Sequence, residues 1–264
     1  MEIHFINVGQ GDSILVLTPK GKSYLIDGGS NESEIKTADN SRLYVQHYLK
    51  KIGIRNLDGV VVSHFHNDHL GGIIPVLKDF RVNKIWDCGG IHDSPAFRDY
   101  LEMLKTKKLI RQSVHSEDLL DWGEEIIVET LNPPKFTPSS FSIKDRSVVL
   151  RITYGKTSII LSGDIEKCGI NEVLRYGNSL KSSILKIPGH GSAQSFSKNL
   201  YNLAAPDAVV LSVGKNNPFS YPVNELTNFL IEKKMQLFRT DANSAIVFKI
   251  YGRNFKDYEI VVDQ

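Results

Sequence analysis

Short apolar runs, separated by turn residues, make up the beginning of the chain. Residues 3–8, 12–17 and 23–26 have the length and composition of strands, and Gly9-Gln10-Gly11 and Pro19-Lys20-Gly21 separate them. Because these connections are short, the pattern predicts three strands that pair as antiparallel neighbours.

Beyond residue 40, apolar residues at helical spacing alternate with runs typical of buried strands. The elements predicted there are a helix over 41–52, a strand over 60–62, a helix over 72–78, a strand over 85–87, a helix over 95–108, short strands between 110 and 131, strands over 147–154 and 157–161, a helix over 165–176, a strand over 184–187, a helix over 198–203, a strand over 208–213, a helix over 223–234 and strands over 245–251 and 258–263. Residues 132–144 carry three prolines, which predicts a loop. A loop of about a dozen residues is uncommon unless it covers a site, so we expect it to border the active site.

This order of elements indicates an α/β protein. Two half-domains, each pairing a sheet with covering helices, predict a four-layered αββα sandwich in one domain over residues 1–264, although periodicity alone leaves other α/β arrangements open. The chain has 264 residues, 41% of them hydrophobic, which is enough for a sizeable core. A disordered chain and a disulfide-stapled miniature are therefore excluded.

Net charge and hydropathy bear on the compartment in which the protein acts, but they do not identify a binding partner. The chain has 32 basic and 30 acidic residues, and its net charge of +2 gives little support for non-specific attraction to a polyanion. No run approaches the ~18 apolar residues of a membrane span, and the N-terminus lacks the pattern of a signal peptide. We therefore expect a cytoplasmic protein with no membrane partner, and nothing in the sequence indicates a protein partner.

The strongest chemical signal is His64-Phe65-His66-Asn67-Asp68-His69, which directly follows the predicted strand over 60–62. Side chains at i and i+2 of an extended segment point the same way, so His64 and His66 can bind one metal. The turn that follows lets Asp68 and His69 face a neighbouring metal. Only 8 of the 264 residues are histidines, so three within six positions indicate a metal site rather than packing.

This HxHxDH string and Asp27-Gly28-Gly29 resemble the metallo-β-lactamase superfamily. Further stretches match, in order, the metallo-hydrolase domain of ComEC-type DNA-uptake proteins: Val8-Gly9-Gln10-Gly11-Asp12-Ser13, Ser147-Val148-Val149-Leu150, Leu161-Ser162-Gly163-Asp164, His190-Gly191-Ser192 and Ser212-Val213-Gly214-Lys215-Asn216-Asn217. The resemblance covers nearly the whole chain, without the membrane-embedded part of those proteins. It implies a metallo-β-lactamase-like fold.

The resemblance also implies a centre for two divalent ions, zinc or manganese. It assigns six ligands: His64 and His66 to the first ion, Asp68, His69 and His190 to the second, and Asp164 to both. From the residues alone, Asp164 also suits a turn or a helix N-cap, and His190 suits a loop.

Three further roles are expected around this centre. Asp27 would accept a hydrogen bond from a ligating histidine and fix its tautomer. Asp68 would also orient the attacking water. Tyr221, if it projects into the site, would donate to a substrate oxygen, whereas a tyrosine before proline also suits simple packing.

The chain departs from the family pattern at three places. Residues 141–146 contain no histidine for the first metal, and Asp145 is the nearest substitute ligand. Gly189 replaces the first histidine of His-His-Gly-Ser, and Ser220-Tyr221-Pro222 replaces Gly-His-Pro. These differences predict a weakly held first metal or a changed metal preference, and harder oxygen ligation would favour manganese.

Three functions fit these residues. The first is a metal-dependent phosphodiesterase, most concretely a nuclease acting on DNA or RNA, because two cations can neutralise the transition state of phosphate esters. The second is a hydrolase of a small phosphoester, such as a cyclic nucleotide or a phosphorylcholine-type ester. The third is a binding or regulatory module that has lost turnover. Basic and amide residues beside the motifs suit contact with phosphates, but a solvated face explains them as well or better; they are Lys186, Lys215, Asn216 and Asn217.

Overall fold

The computed structural model describes residues 1–30, 44–243 and 245–263, which form sixteen strands and seven α-helices. The strands are β1 (Glu2–Ile6), β2 (Ile14–Leu17), β3 (Ser23–Ile26), β4 (Asn56–Leu57), β5 (Gly59–Val62), β6 (Arg81–Val82), β7 (Ile85–Asp87), β8 (Arg111–Ser113), β9 (Ile126–Asn132), β10 (Val149–Tyr154), β11 (Thr157–Leu161), β12 (Ile184–Lys186), β13 (Ala208–Leu211), β14 (Gln236–Arg239), β15 (Ala245–Ile250) and β16 (Tyr258–Asp263). The helices are α1 (Val45–Lys51), α2 (Asn67–Leu70), α3 (Ile73–Asp79), α4 (Pro95–Lys107), α5 (Lys167–Leu174), α6 (Lys198–Ala204) and α7 (Asn224–Glu232).

Two mixed sheets dominate the fold. The larger has the strand order β16-β15-β1-β2-β3-β5-β7-β8, and the smaller has the order β14-β13-β12-β11-β10-β9. In the larger sheet the strands from β16 to β3 pair antiparallel, and those from β3 to β8 pair parallel. In the smaller sheet β9, β10 and β11 are antiparallel, whereas β11 to β14 are parallel. Short connections join β1 to β2, β2 to β3, β10 to β11 and β15 to β16, whereas residues 133–148 join β9 to β10. The parallel pairs need longer crossovers.

Alternating side chains of the smaller sheet enter two different apolar clusters. In β11, Ile159 and Leu161 belong to a large cluster shared with the other sheet, whereas Ile160 belongs to a cluster with α5, α6 and α7. The rings of Phe238 in β14 and Phe248 in β15 lie 5.8 Å apart, so the two sheets are in direct contact. Residues of α1, α3 and α4 join the large cluster from the first half of the chain. These layers confirm the predicted αββα arrangement.

Helix α4 illustrates why the sequence encodes these elements locally. Ser94 is its N-cap and accepts a hydrogen bond from the Phe97 backbone N at 3.2 Å, and Pro95 occupies the first turn, where its missing N–H costs nothing. The helix ends at a left-handed Lys108, after basic residues that favour the negative end of the helix dipole. The prediction of a helix over 95–108 is confirmed to within one residue.

Most other predicted elements are also present, with three informative differences. Helix α1 begins at Val45, and the predicted start at residue 41 lies outside the described residues. Pattern reasoning missed the short parallel pair of β4 and β6 and the strand β14, whose residues are only partly buried. It also missed the four-residue helix α2, which carries Asp68 and His69. Residues 133–148 contain no helix or strand, which confirms the predicted loop.

Helices long and apolar enough to cross a bilayer are absent from the described part of the chain.

Candidate metal centre

The predicted ligands come from loops that follow the carboxyl ends of strands. His64 follows β5, Asp164 follows β11 and His190 follows β12, while α2 brings Asp68 and His69 to the same place. Ligand sites of α/β proteins commonly lie at this end of parallel strands. The strand order therefore brings together residues that are more than a hundred positions apart in sequence.

Four of the six predicted ligands form one compact group. One ligand atom each from Asp68, His69, Asp164 and His190 lies within 4.8 Å of all the others. Asp164 Oδ1 is 3.4 Å from His69 Nε2 and 3.4 Å from His190 Nε2. Asp68 Oδ2 is 3.4 Å from His190 Nε2 and 3.9 Å from His69 Nε2. We call these four residues the four-residue cluster.

The cluster leaves buried polar atoms without hydrogen bonds. His69 Nε2, His190 Nε2 and both carboxylate oxygens of Asp164 are buried and accept or donate no hydrogen bond. Orphaned buried polar atoms are costly, so several that converge on one point need a common partner. Two imidazoles and two carboxylates suit zinc or manganese. The cluster therefore fits a divalent metal ion, whose identity these donors leave open.

Charge interactions inside the cluster shift its titration strongly. Burial opposes the charged form of His69, but Asp164, Asp27 and Asp68 outweigh burial and raise its pKa well above the ordinary histidine value. Burial likewise opposes the charge of His190, yet Asp164 and Asp68 raise its pKa. Burial disfavours the charge of Asp164, but His190 and His69 hold its pKa well below the ordinary value. Without a metal, the carboxylates thus favour the protonated form of both imidazoles.

Asp27 occupies the position expected of a carboxylate that orients a ligand. Its Oδ2 lies 2.7 Å from His69 Nδ1 and accepts the Ser63 hydroxyl at 2.6 Å, and its Oδ1 accepts the Ser63 backbone N at 2.7 Å. With Nδ1 donating to Asp27, the His69 Nε2 lone pair is free to point into the cluster. For His190, the backbone carbonyl of Ser212 has the same role, at 2.9 Å from Nδ1.

Close backbone contact brings the Asp27 loop and α2 together. A Cβ at Gly72 would overlap the Gly28 carbonyl oxygen and lie 2.6 Å from the Gly28 carbonyl carbon. The Gly28 backbone N donates to the His69 carbonyl at 2.7 Å. The glycines of both motifs are therefore required for the approach of Asp27 to His69.

Lys186 and Asp12 form a buried ion pair beneath the cluster, and sequence reasoning missed it. Both side chains are almost completely buried, the Lys186 ammonium contacts Asp12 Oδ2, and it donates to the Gly163 carbonyl at 2.9 Å. Asp12 Oδ1 lies 3.7 Å from His190 Nδ1. The expectation that Lys186 lies on a solvated face is wrong, because the third residue of β12 points inward to a carboxylate from the first loop. The Gly-Gln-Gly-Asp-Ser stretch was the available signal for Asp12.

His64 and His66 lie beside the four-residue cluster but outside it. His64 Nε2 and His66 Nδ1 are 3.0 Å apart, and the His64 ring centroid is 4.2 Å from that of His69. Burial and the neighbouring His69 hold the pKa of His64 well below its ordinary value, and burial lowers the pKa of His66. Within the described ranges, neither histidine belongs to a group of three or more clustered ligand atoms. His92, which sequence reasoning did not select, packs edge-on against His66 with centroids 5.9 Å apart.

Asp145 does not supply the missing ligand. Its Oδ2 accepts hydrogen bonds from the Ser142 backbone N and hydroxyl, and its Oδ1 accepts the Gly169 backbone N at 2.8 Å. The expectation of a substitute ligand at Asp145 is therefore wrong, since its carboxylate holds the loop and the start of α5. The preceding residue, Lys144, reaches the centre instead, with its ammonium 3.3 Å from Asp164 Oδ2 and 3.8 Å from Glu166 Oε1.

Tyr221 lies on the loop after β13, and its described contacts are away from the cluster. Its ring stacks on Phe219 at 5.3 Å and packs against the apolar cluster of α5, α6 and α7. Asn217 accepts the Tyr221 backbone N and donates to its carbonyl, both at 2.9 Å. These contacts match the packed alternative, and a catalytic role for its hydroxyl stays a prediction. Lys215 and Asn216 on the same loop are exposed, as expected.

Comparison with known proteins identifies the class. A family model described as the metallo-beta-lactamase superfamily matches residues 6–215, so the chain belongs to that superfamily. Together with the four-residue cluster, this defines a metal-dependent hydrolase of that class.

Relatives named as competence proteins match over most of this chain. ComE operon protein 3 of Bacillus subtilis (strain 168) is 27% identical over 262 residues, which cover 96% of this chain and 33% of that protein. Competence protein ComA of Neisseria gonorrhoeae is 27% identical over 243 residues, which cover 92% of this chain and 31% of that protein. The chain thus spans about a third of the length of these curated relatives. They confirm the predicted resemblance to ComEC-type domains.

A solved structure supports the fold. Igni18, described as a metallo hydrolase from the archaeon Ignicoccus hospitalis, superimposes with a TM-score of 0.61 at 16% identity. The match covers 95% of this chain and 100% of that one. At this identity the likeness speaks for the fold alone.

Proposed function

We propose that this chain is a metal-dependent phosphodiesterase, most concretely a nuclease acting on DNA or RNA. The observation that carries the proposal is the four-residue cluster, whose buried imidazole and carboxylate atoms converge without hydrogen-bond partners. The names of the relatives, a competence protein among them, favour a nucleic acid as the substrate.

The cluster divides into buried residues that hold an ion and one residue that meets solvent. The side chains of His69, Asp164 and His190 are 0% to 3% exposed, whereas that of Asp68 is 32% exposed. Held by these residues, a divalent ion would act as a Lewis acid and lower the pKa of a bound water towards neutrality. Asp68 is ionised, because His69 and His190 outweigh burial and hold its pKa below the ordinary value. It is therefore the residue that orients the attacking water.

The expected binuclear centre stays a prediction, with His64 and His66 at one ion, Asp68, His69 and His190 at the other, and Asp164 at both. The proposed activity requires only the ion held by the four-residue cluster. Zinc and manganese are both candidates for the ion, and the two carboxylates of the cluster favour manganese. Tyr221 keeps its proposed role as a donor to a substrate oxygen only if its loop moves towards the cluster.

A second candidate is a hydrolase of small phosphoesters, such as a cyclic nucleotide or a phosphorylcholine-type ester. The net charge of +2 favours it, because proteins that bind long polyanions usually carry a larger basic excess. Loss of turnover, with the fold kept as a binding module, is the third possibility.

The test is chelation followed by a substrate panel. Protein stripped with EDTA should lose cleavage and regain it with manganese or zinc, on single-stranded DNA, duplex DNA or RNA. Asp68→Ala together with His69→Ala should stay inactive in either metal. A matched control is His115→Ala with Asp118→Ala, a half-buried histidine and an exposed aspartate that pair outside the cluster, which should keep full activity.

Three outcomes separate the candidates. Metal-restored cleavage of a nucleic acid supports the nuclease, and cleavage confined to small esters supports the second candidate instead. Failure on every substrate, in protein that retains its fold, rejects both and leaves the binding module.

A further inference from the structure

Asp164 presents its two carboxylate oxygens to different surroundings. Oδ1 faces His69 and His190, each 3.4 Å away, and lies 3.9 Å from the Lys186 ammonium, whose charge is already paired with Asp12. Oδ2 faces the Lys144 ammonium at 3.3 Å, in an ion pair rather than an aligned hydrogen bond. A carboxylate can bridge two metals with one ion on each oxygen or with both ions on one oxygen. Here a cationic side chain lies against Oδ2, the oxygen that a second ion would use in the first arrangement.

A divalent ion on Asp164 Oδ2 would conflict with this ammonium. Metal–carboxylate distances are about 2.0 to 2.2 Å, so the ion would lie within a few ångströms of Lys144 Nζ. Like charges at that separation repel strongly in a partly buried site. Lys144 is only 26% exposed, so solvent screens this repulsion incompletely.

The charges buried around the centre balance with one ion. Four carboxylates point into it, from Asp12, Asp27, Asp68 and Asp164, and two ammonium groups face them, from Lys144 and Lys186. With neutral histidines they leave a net charge of −2, which one divalent ion neutralises and a second would overturn. Glu166 is not counted because its carboxylate contacts Lys144, at 3.8 Å, and not the cluster.

The remaining ligands on this side are incomplete. His64 and His66 face each other at 3.0 Å, but among the described residues they form no three-ligand group with Asp164. The carboxylate of Asp145 is occupied by backbone and hydroxyl donors. The residues present therefore fit an ion at the four-residue cluster and do not fit a second ion on the side of His64 and His66.

We propose that Lys144 takes the place of the first metal, so that the centre holds one tightly bound divalent ion and a lysine ammonium on the other oxygen of Asp164. This inference rests on the metal site of the proposed function, but not on any particular substrate. Lys144 also lies close enough to solvent to meet an anionic substrate beside the ion.

The test counts ions rather than turnover. The 264-residue chain, stripped with EDTA, is dialysed to equilibrium against buffered free zinc or free manganese, and bound metal is measured by mass spectrometry. Wild-type protein should retain one ion per chain. Lys144→Met, which removes the charge and keeps the length, should bind a second ion at least about tenfold more tightly than wild type does.

Matched variants make the outcome decisive. Lys144→Arg keeps the charge and should retain one ion, and circular dichroism checks that each variant is folded. His64→Ala with His66→Ala should leave the single ion in place, whereas His69→Ala with His190→Ala should remove it.

Several results would overturn the inference. These are two equally tight ions in wild-type protein, an unchanged count in Lys144→Met, or loss of the ion in His64→Ala with His66→Ala. A wild-type chain that binds no ion would reject the metal site itself. Correct counts without hydrolysis of any substrate would reject the proposed activity and leave this inference standing.

Discussion

The two sides of Asp164 differ in how they are prepared for a cation. On the side of His69 and His190, imidazole atoms and carboxylate oxygens converge and make no hydrogen bonds. On the side of His64 and His66, the imidazoles face each other and the cation already present is Lys144. On the first side, the lysine near Asp164 Oδ1 is Lys186, 3.9 Å away and already paired with Asp12. On the second side, Lys144 lies 3.3 Å from Oδ2.

This difference shows that the histidines of one complete motif can have opposite electrostatic surroundings. All of HxHxDH is present and its side chains gather at the ends of the strands, yet only its last two residues join the four-residue cluster. The titration of the histidines follows the same division. Carboxylates raise the pKa of His69 and His190 against burial, whereas burial lowers the pKa of His64 and His66.

The largest effect should follow removal of the charge on Asp164. Asp164→Asn keeps the shape and removes the carboxylate that faces both histidines, so metal affinity should fall by more than the ~100-fold that loss of an outer partner can cost. Competition with a fluorescent chelator measures this change. Glu166→Gln removes a carboxylate on the Lys144 side and should alter affinity only slightly. Equal losses in the two variants would contradict the comparison.

Breaking the buried pair beneath the cluster should mainly reduce stability. Lys186→Met leaves the carboxylate of Asp12 buried and uncompensated, so unfolding free energy should fall by about 3 to 5 kcal/mol. Urea denaturation measures the loss. Asp12→Asn combined with Lys186→Met removes both charges and should recover most of it, since the penalty comes from the unpaired charge. A double variant as unstable as the single one would contradict this account.

Substitution of Asp27 tests whether the orientation of His69 by itself affects metal affinity. Asp27→Asn keeps the hydrogen-bonding shape but weakens the hold on His69 Nδ1, so metal affinity should fall by about 10 to 100-fold. Equilibrium dialysis measures it. His92→Ala, on the opposite side of the centre, is the matched control and should leave affinity unchanged. If metal affinity fell in His92→Ala and not in Asp27→Asn, the ion would lie beside His66 rather than beside His69, which would contradict our proposal.

Local sequence signals predicted one part of this centre well. His64 and His66 lie after a buried strand, and α2 places Asp68 and His69 in the following turn, so spacing alone brings the motif together. Asp27 was also found, because an Asp-Gly-Gly stretch at the end of a strand is a recognisable signal. The HxHxDH motif was predicted from interactions within a short stretch, and Asp27 from a matched motif.

The features that sequence reasoning missed depend on partners far away in the chain. Lys186 is buried because Asp12 meets it across the molecule, and no local pattern distinguishes it from a solvated lysine. Lys144 stood at the end of a predicted loop, and only the fold brings it to Asp164. Strand β14 was missed because an edge strand of half-buried residues lacks a strong apolar pattern.

The dependence of metal binding on pH can locate the ion. The pKa values of His69 and His190 are raised, so in the metal-free protein both imidazoles stay protonated to higher pH than an ordinary histidine does. An ion bound there must displace these protons, so affinity should fall as pH falls, by about tenfold per pH unit for each proton displaced. Chelator competition from about pH 6 to about pH 9 measures the slope. The neutral imidazoles of His64 and His66 would release no proton, so a flat profile would place the ion beside them.

The smallest effect concerns Gly189, which replaces the histidine of the family pattern. Its φ of 55° is left-handed, and a Cβ there would overlap Ser195 Oγ and lie 2.7 Å from Ser195 Cβ. Gly189→Ala should therefore destabilise the fold by about 1 kcal/mol through backbone strain and this contact. Because His190 is next in the chain, metal affinity should also fall slightly. Ser195→Gly in the same chain should relieve the contact but keep the strain. Thermal unfolding of the single and double variants separates the effect of the backbone strain from that of the contact with Ser195. Full stability in Gly189→Ala would mean that the loop can rearrange without moving His190.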